Sequence, residues 1–233
     1  MPDARARLTR LIELATQNAP EKQRALAFEL CDLLLEWPAR YPHAMREPFE
    51  ALLEKVLRRL DGTTRRMIAG RFAVRADAAI ALLNEIYLDV PVEARAAILE
   101  RNAELDDGVS AEADAPQRDE TALLDAARAL RGAEFVATFA RFLEIPAAVA
   151  KRILDDESGN GLAVACKGAH LGRATFSALV VLKAADLRTD PAGRTACLAA
   201  FEGIPGAGAQ QLLHYWRQTR ADTPPLEPDV CAA

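Results

Sequence analysis

The sequence has no long apolar run and few aromatic residues. A membrane-spanning helix needs about 20 consecutive apolar residues, and no stretch of this chain approaches that length. Aromatic residues make up only 6% of the chain, and alanine and leucine supply much of its apolar content. This composition favours helices over sheets, because strands are enriched in β-branched and aromatic residues. We therefore expect an all-α protein without a membrane span.

The sequence also lacks a paired cysteine motif and an excess of positive charge. Its cysteines are scattered, with no CxxC pair, so neither a disulfide framework nor a zinc ribbon is indicated. The opening residues, MPDARARLTR, contain no apolar core of a secretory signal, which favours reduced thiols and a cytoplasmic location. The formal net charge of -5 argues against a general nucleic-acid binder, which needs a basic surface.

Apolar residues recur at helical spacing along almost the whole chain. The clearest stripe runs from Phe49 to Leu60. The following residues, Asp61–Thr64, are predicted to end this helix at Gly62 and to supply a threonine N-cap for the next one. A run of small, acidic and turn-forming residues at 106–118 has no periodicity and is predicted to be a linker. It divides a helical half at 1–105 from a second half at 119–220, and the proline-rich residues 221–233 are predicted to be a disordered tail.

One sequence pattern occurs twice and has a fainter third copy. The segment FLEIPAAVAKRIL (142–154) returns as FEGIPGAGAQQLL (201–213), and Tyr87, Val90 and Pro91 stand at the same offsets. We interpret the pattern as a corner between helices, in which the aromatic residue ends one helix, the aliphatic residue fills the corner and proline starts the next helix. Recurrence of such corners predicts antiparallel helix pairs in a HEAT-like repeat, an α-solenoid. The alternative is that all-helical proteins need such corners without any duplication.

The region Asp155–His170 is the densest in residues that could perform chemistry. Asp156, Ser158 and Asn160 match the first half of a calcium loop, but Lys167 stands where the loop needs a bidentate glutamate. We therefore expect an acidic turn in which Ser158 or Asn160 caps a helix. The glycines before Lys167 do not make a phosphate loop either, because the Gly-Lys-Ser/Thr ending and a preceding strand are missing.

Cys166 and His170 lie four residues apart and hence on one helix face. They could form half of a zinc site or a thiol–imidazole pair, but further ligands at suitable spacing and an orienting partner are missing from the sequence. A buried Cys166 with a capping or exposed His170 is the simpler interpretation. The sequence thus assigns no catalytic, metal-binding or cofactor-binding residue, and it predicts no cofactor.

The segment KVLRRLDGTTRRMIAGRFAVR is strongly basic within an acidic chain. Arginine forks match carboxylate and phosphate groups, so this segment is the candidate site for an acidic partner or an anionic ligand. The alternative is a solvated helix surface paired with acidic neighbours. The candidate partner-binding residues are Arg58, Arg59, Arg65, Arg66, Arg71 and Arg75.

The chain resembles a family of bacterial proteins, domain-of-unknown-function family 2336, found mainly in alphaproteobacteria. The residues that carry the resemblance are LAVACKGAHLGRATFSALVVL and the closing LLHYWR, together with RRMIAGRFA and AAIALLNEIYLDVP in the first half. The sequence is more compressed than the family pattern between Ala69 and Asp89. The resemblance implies an all-helical, HEAT-like scaffold in a bacterial cytoplasm, and it brings no catalytic residues.

Two functions from different classes fit these observations. The first is a non-enzymatic protein–protein interaction module or regulatory scaffold with a protein partner, and a homodimer is left open. The second is a small-ligand sensor or enzyme that uses the Asp155–His170 region. We favour the first because no complete catalytic constellation is visible in the sequence.

Overall fold

The computed structural model describes residues 4–37, 41–72, 78–105, 119–187 and 191–219. In these ranges the chain forms thirteen α-helices and one 3-10 turn (His43–Met45), and none of their residues is in a strand. The prediction of an all-α protein is therefore confirmed. The predicted linker at 106–118 and the predicted tail at 221–233 lie outside the described residues, and both stay predictions.

The chain divides into two compact units, Met1–Ile98 and Leu99–Ala233. The helices in chain order are α1 (Ala4–Ala15), α2 (Pro20–Leu35), α3 (Glu47–Leu57), α4 (Gly62–Phe72), α5 (Ile80–Ile86), α6 (Val92–Glu104), α7 (Glu120–Ala129), α8 (Gly132–Leu143), α9 (Ala147–Asp155), α10 (Asn160–Gly168), α11 (Arg173–Leu187), α12 (Pro191–Gly203) and α13 (Gly206–Gln218). No described helix is long and apolar enough to cross a bilayer.

Helix α2 organises the first unit. It packs against α1, α3 and α4, and α5 completes the core by packing against α3 and α4. The apolar stripe Leu26, Leu30 and Leu34 on α2 is fully buried, because positions four residues apart share one face of a helix. Leu53 and Leu57 on α3 meet this core and are equally buried. Each such leucine contributes roughly 1.5–3 kcal/mol through its removal from water.

Asp61, rather than a threonine, caps the start of α4. Gly62 lies inside α4 instead of ending the preceding helix, so our expectation for the turn at Asp61–Thr64 was wrong. The Asp61 carboxylate accepts hydrogen bonds from the Thr64 backbone N–H at 2.9 Å and from the Thr64 hydroxyl at 2.7 Å. Arg24 of α2 donates to the same carboxylate at 3.0 Å. An aspartate competes well with threonine here, because its charge also interacts favourably with the positive end of the helix dipole.

This cap predicts a specific dependence of stability on pH. The hydrogen bonds from Thr64 and the neighbouring Arg24 hold the pKa of Asp61 well below its ordinary value. A carboxyl group with a lowered folded-state pKa stabilises the fold above its unfolded pKa, and that stability is lost as the pH falls toward the folded value. We expect Asp61→Asn to lower the melting temperature at pH 7, and the difference from wild type to shrink below about pH 4. Thermal melts over a pH series would show this, and a pH-independent difference would contradict it.

Helix α10 lies at the centre of the second unit. It packs against α9, α11, α12 and α13, while α7 packs against α8 and α11. All of its residues from Gly161 to Cys166 are buried, as is Gly168. A helix that is apolar on every side is typical of a core position enclosed by neighbours. The run SALVVLK, whose valines would also suit a strand, lies inside α11.

The three copies of the repeated pattern form corners of the kind that we expected. Val90, Ile145 and Ile204 are 2%, 2% and 7% exposed and fill the three corners. The residue after each of them is a proline that directly precedes the next helix, α6, α9 or α13. A proline fits there because the first backbone N–H groups of a helix have no partner inside the helix.

A basic side chain also donates a hydrogen bond to a backbone carbonyl at each corner. In the second unit, Arg217 of α13 donates to the Leu143 carbonyl at the end of α8, at 3.0 Å. Lys167 of α10 donates to the Phe201 carbonyl of α12 at 3.3 Å and lies 4.9 Å from the centroid of the Phe201 ring. A cation at this place is favourable, because the last carbonyls of a helix are unpaired and carry partial negative charge.

The first unit repeats this arrangement with an arginine. Arg95 is 5% exposed, donates to the carbonyls of Val90 and Leu88 at 3.3 and 3.2 Å, and stacks 5.5 Å from the centroid of the Tyr87 ring. The aromatic residue of the pattern therefore has a second role at two of the corners, where it provides a π face for the cation that closes the corner.

Candidate interaction surface

The basic segment lies at the end of α3, in the turn that follows it and along α4. Five of its six candidate arginines fall into three groups according to their surroundings, and the sixth, Arg75, lies outside the described residues. Some of these side chains face the core of the first unit and others face solvent, because successive residues of an α-helix are rotated by about 100°.

Arg65 is buried and belongs to the internal structure of the first unit. Its guanidinium forms ion pairs with Glu85 at 3.0 Å and Asp89 at 2.8 Å, and it is 5% exposed. It also donates to the carbonyls of Leu57 and Glu85 at 2.6 and 2.8 Å. Burial lowers the pKa of Arg65, but Asp89 and Glu85 outweigh this effect and raise the pKa above its ordinary value. Arg65 thus joins α3, α4 and α5 and offers no free donor surface to a partner.

Arg58 and Arg71 lie closer to solvent but are also paired inside the first unit. Arg58 forms ion pairs with Glu54, one helical turn before it, and with Glu85 at 3.2 Å. Arg71 forms an ion pair with Asp32 of α2 at 2.6 Å, with both side chains more than two-fifths exposed. Such exposed pairs contribute about 1 kcal/mol or less, so a competing acidic partner could displace Arg71 at small cost.

Arg59 and Arg66 are exposed, and among the described residues neither has an ion-pair partner. Lys55 lies one helical turn before Arg59 and is exposed as well. Met67, next to Arg66, is 58% exposed although methionine is usually buried. We define the basic face as Lys55, Arg59, Arg66 and Met67, and this is the part of the predicted site that remains accessible.

The sequence did not reveal which arginines are internal, but it contained one signal. Glu85 and Asp89 stand four residues apart in a segment, LLNEIYLDV, whose other residues are largely apolar. Two carboxylates on the apolar face of such a segment need buried cations as partners, because an unpaired buried charge is very costly. No feature of the sequence predicted that Met67, next to Arg66, is exposed.

The turn before α10 has a structural role, as expected, but the capping residue was wrong: the N-cap is Gly159 rather than Ser158 or Asn160, and Asn160 is the first residue of the helix. The Asp156 carboxylate accepts from the Gly161 backbone N–H at 2.7 Å, and the Ser158 hydroxyl accepts from the Asn160 N–H at 3.2 Å. Ser158 also donates to Asp156 at 2.8 Å. Gly159 has a left-handed backbone with φ of 69°, which favours glycine. These bonds use the oxygens that a cation would need, and the described residues contain no cluster of three or more metal ligands.

Cys166 and His170 do not form a reactive pair. Cys166 is 0% exposed, and burial raises the pKa of its thiol far above the ordinary value, with a further contribution from the charge of Glu120. His170 lies at the end of α10 in a left-handed conformation with φ of 59°, and its Nε2 is 3.1 Å from Nε2 of Gln210. The backbone N–H of Leu171 bonds back to the Cys166 carbonyl at 2.9 Å, which ends the helix in a Schellman motif.

The buried thiols of Cys31 and Cys166 should therefore be inert. Burial raises the pKa of Cys31 to about 11, so the reactive thiolate is scarce at pH 8 for Cys31 and for Cys166. We expect iodoacetamide to label these two residues at least about tenfold more slowly in the folded protein than in urea. Peptide mapping by mass spectrometry reads each site separately. Rapid labelling of Cys166 in the folded protein would contradict this prediction and would favour a catalytic or sensing role.

Comparison with known proteins identifies one family. The family model described as "Uncharacterised protein conserved in bacteria (DUF2336)" matches residues 44–214. No curated protein and no solved structure matches the chain. The matched range covers the basic face, the turn before α10 and all three corners.

Proposed function

The chain belongs to the DUF2336 family of proteins conserved in bacteria, and from this premise we propose that it is a non-enzymatic interaction module or regulatory scaffold of the bacterial cytoplasm. The observation that carries the proposal is the basic face. In the first unit most described arginines have a carboxylate or carbonyl partner, whereas Arg59 and Arg66 are exposed without an ion-pair partner among the described residues, and Met67 next to Arg66 is exposed as well. A mixed basic and apolar surface of this kind is suited to a protein partner with carboxylates.

The proposal includes a HEAT-like arrangement of helix pairs. Its support is the packing of successive helices, α1 on α2 and α8 on α9, and the three corners with the same aromatic, aliphatic, proline and cation components.

Repeat proteins tend to unfold from their ends, because each helix pair is stabilised mainly by its neighbours. Hydrogen exchange of the full chain should therefore show protection that rises from the terminal pairs inward. Uniform protection of all helices would contradict a repeat arrangement.

The alternative of a sensor or enzyme at Asp155–His170 has less support. Asp156 and Ser158 form hydrogen bonds within the turn, and Cys166 is fully buried with a raised thiol pKa. A reaction site would need at least one of these groups to face a substrate.

The test is affinity capture of the tagged full chain from a lysate of its own bacterium at low and high salt. We expect a stoichiometric partner that is lost at high salt and lost with Arg59→Glu/Arg66→Glu, because the charge reversal replaces attraction by repulsion. The matched control is Lys22→Glu/Arg128→Glu, which changes the net charge equally at exposed positions on α2 and α7. Loss of the partner with both double variants, or no partner at all, would contradict the proposal.

A further inference from the structure

The solvent-facing side of α4 has a surface composition that the fold itself does not require. Thr63, Arg66, Met67 and Gly70 are all exposed, and their spacing places them on one face of the helix. The opposite face, with Ile68 among its residues, is buried in the core of the first unit. Thr63 and Gly70 form the middle of the exposed face, with Arg66 on one side and Met67 on the other.

The middle of this face is open at Gly70. A Cβ atom added there would meet no atom within 4 Å, so a partner can approach the backbone of α4 at this position. Two packed helices approach each other closely at such small residues, whereas an extended peptide needs a free strand edge for its backbone hydrogen bonds.

The charge of this face is not balanced among the described residues of the first unit. Neighbouring arginines are neutralised by Asp61, Asp32, Glu85 and Asp89. Arg66 has no such partner among the described residues. The complementary surface is thus one that brings carboxylates to Arg66 and an apolar side chain to Met67.

We infer that the exposed face of α4 binds an acidic amphipathic helix of a partner protein, an inference that rests on the proposed interaction function. The partner helix presents aspartate or glutamate at positions three or four residues apart, so that two carboxylates lie on the side that faces Arg66. An apolar residue between them covers Met67. A backbone approach as close as that between packed helices is possible because Gly70 has no side chain.

The experiment places a photo-reactive benzophenone amino acid at position 67 of the full chain and irradiates the protein in a lysate of its own bacterium. The sequence of the cross-linked peptide is then read by mass spectrometry. Control probes at Leu8 and Val181, which are 49% and 58% exposed, report on two other apolar surface positions. The cross-linked peptide is finally synthesised, and its affinity for the wild-type chain is measured by fluorescence anisotropy.

We expect the probe at position 67 to capture a peptide of net negative charge with acidic residues at helical spacing. Arg66→Glu should weaken its binding by about tenfold, and Lys22→Glu should leave it unchanged. Replacement of its acidic residues by lysine should restore binding to Arg66→Glu. Gly70→Leu, which adds a bulky side chain in the middle of the face without a change of charge, should also weaken binding.

The remaining outcomes separate this inference from the proposed function. Cross-links at position 67 to peptides without acidic residues, to nucleic acid or to a second copy of the chain would overturn the inference. Partner capture only by the probe at Leu8 or Val181 would overturn it as well, but would leave an interaction module in place. Failure of all three probes to capture any protein would count against both.

Discussion

Arg65→Ala is expected to destabilise the first unit by about 3–5 kcal/mol, the typical cost of removing one partner from a buried ion pair. The substitution leaves Asp89 and Glu85 facing a cavity, and Glu85 keeps its ion pair with Arg58. The Glu85 carbonyl loses its bond from Arg65, whereas the Leu57 carbonyl keeps its bond from the Leu60 backbone N–H at 3.1 Å. An unpaired buried acceptor costs roughly 1–3 kcal/mol, more than the hydrogen bond contributes when it is made.

Urea unfolding followed by far-UV circular dichroism measures this effect. Arg66→Ala is the matched control, because it removes the same side chain from the next position of the same helix, where it is exposed, and should change stability by about 0.5 kcal/mol or less. Arg65→Lys should lie between wild type and Arg65→Ala, since an ammonium group cannot reach all the acceptors that the guanidinium fork contacts. Equal unfolding midpoints for Arg65→Ala and Arg66→Ala would show that the internal network contributes nothing to stability.

Gly168→Ala is expected to destabilise the second unit by about 1–3 kcal/mol, although alanine is the better helix former by about 1 kcal/mol. A Cβ atom at position 168 would lie 2.5 Å from the Ala209 carbonyl oxygen and 2.9 Å from its carbon. Those atoms belong to the backbone of α13, so the conflict cannot be relieved by a change of rotamer. Helix α13 would have to move away from α10, with loss of packing around the buried Leu213.

Gly203→Ala provides the control in the same unit. Gly203 is the last residue of α12, and a Cβ atom there would meet nothing within 4 Å. We expect this variant to be as stable as wild type or slightly more stable, because alanine restricts the unfolded chain. Differential scanning calorimetry of the two variants and the wild type would show the difference. A melting temperature for Gly168→Ala at or above that of Gly203→Ala would mean that the two helices can separate without cost.

The corners show how far local sequence determines this fold. Ile145 and Ile204 each stand directly before a proline, and on that basis we expected them to fill the corners. Both are buried. The cations that close these corners, Arg217 and Lys167, were not predicted. Each of them lies far along the chain from the carbonyl that it binds. The periodicity of one chain segment gives no information about contacts with a distant segment.

The sequence by itself determined the all-α fold and the three corners. These features depend on interactions within a few residues, such as the helical spacing of apolar side chains and the missing N–H of proline. Only the tertiary structure decided the roles of Arg65 and Arg66, which are adjacent and chemically identical. A rotation of about 100° between them turns the first toward the carboxylates of Glu85 and Asp89 and the second toward solvent. The difference between a buried structural cation and a candidate binding residue therefore depends on where α5 packs.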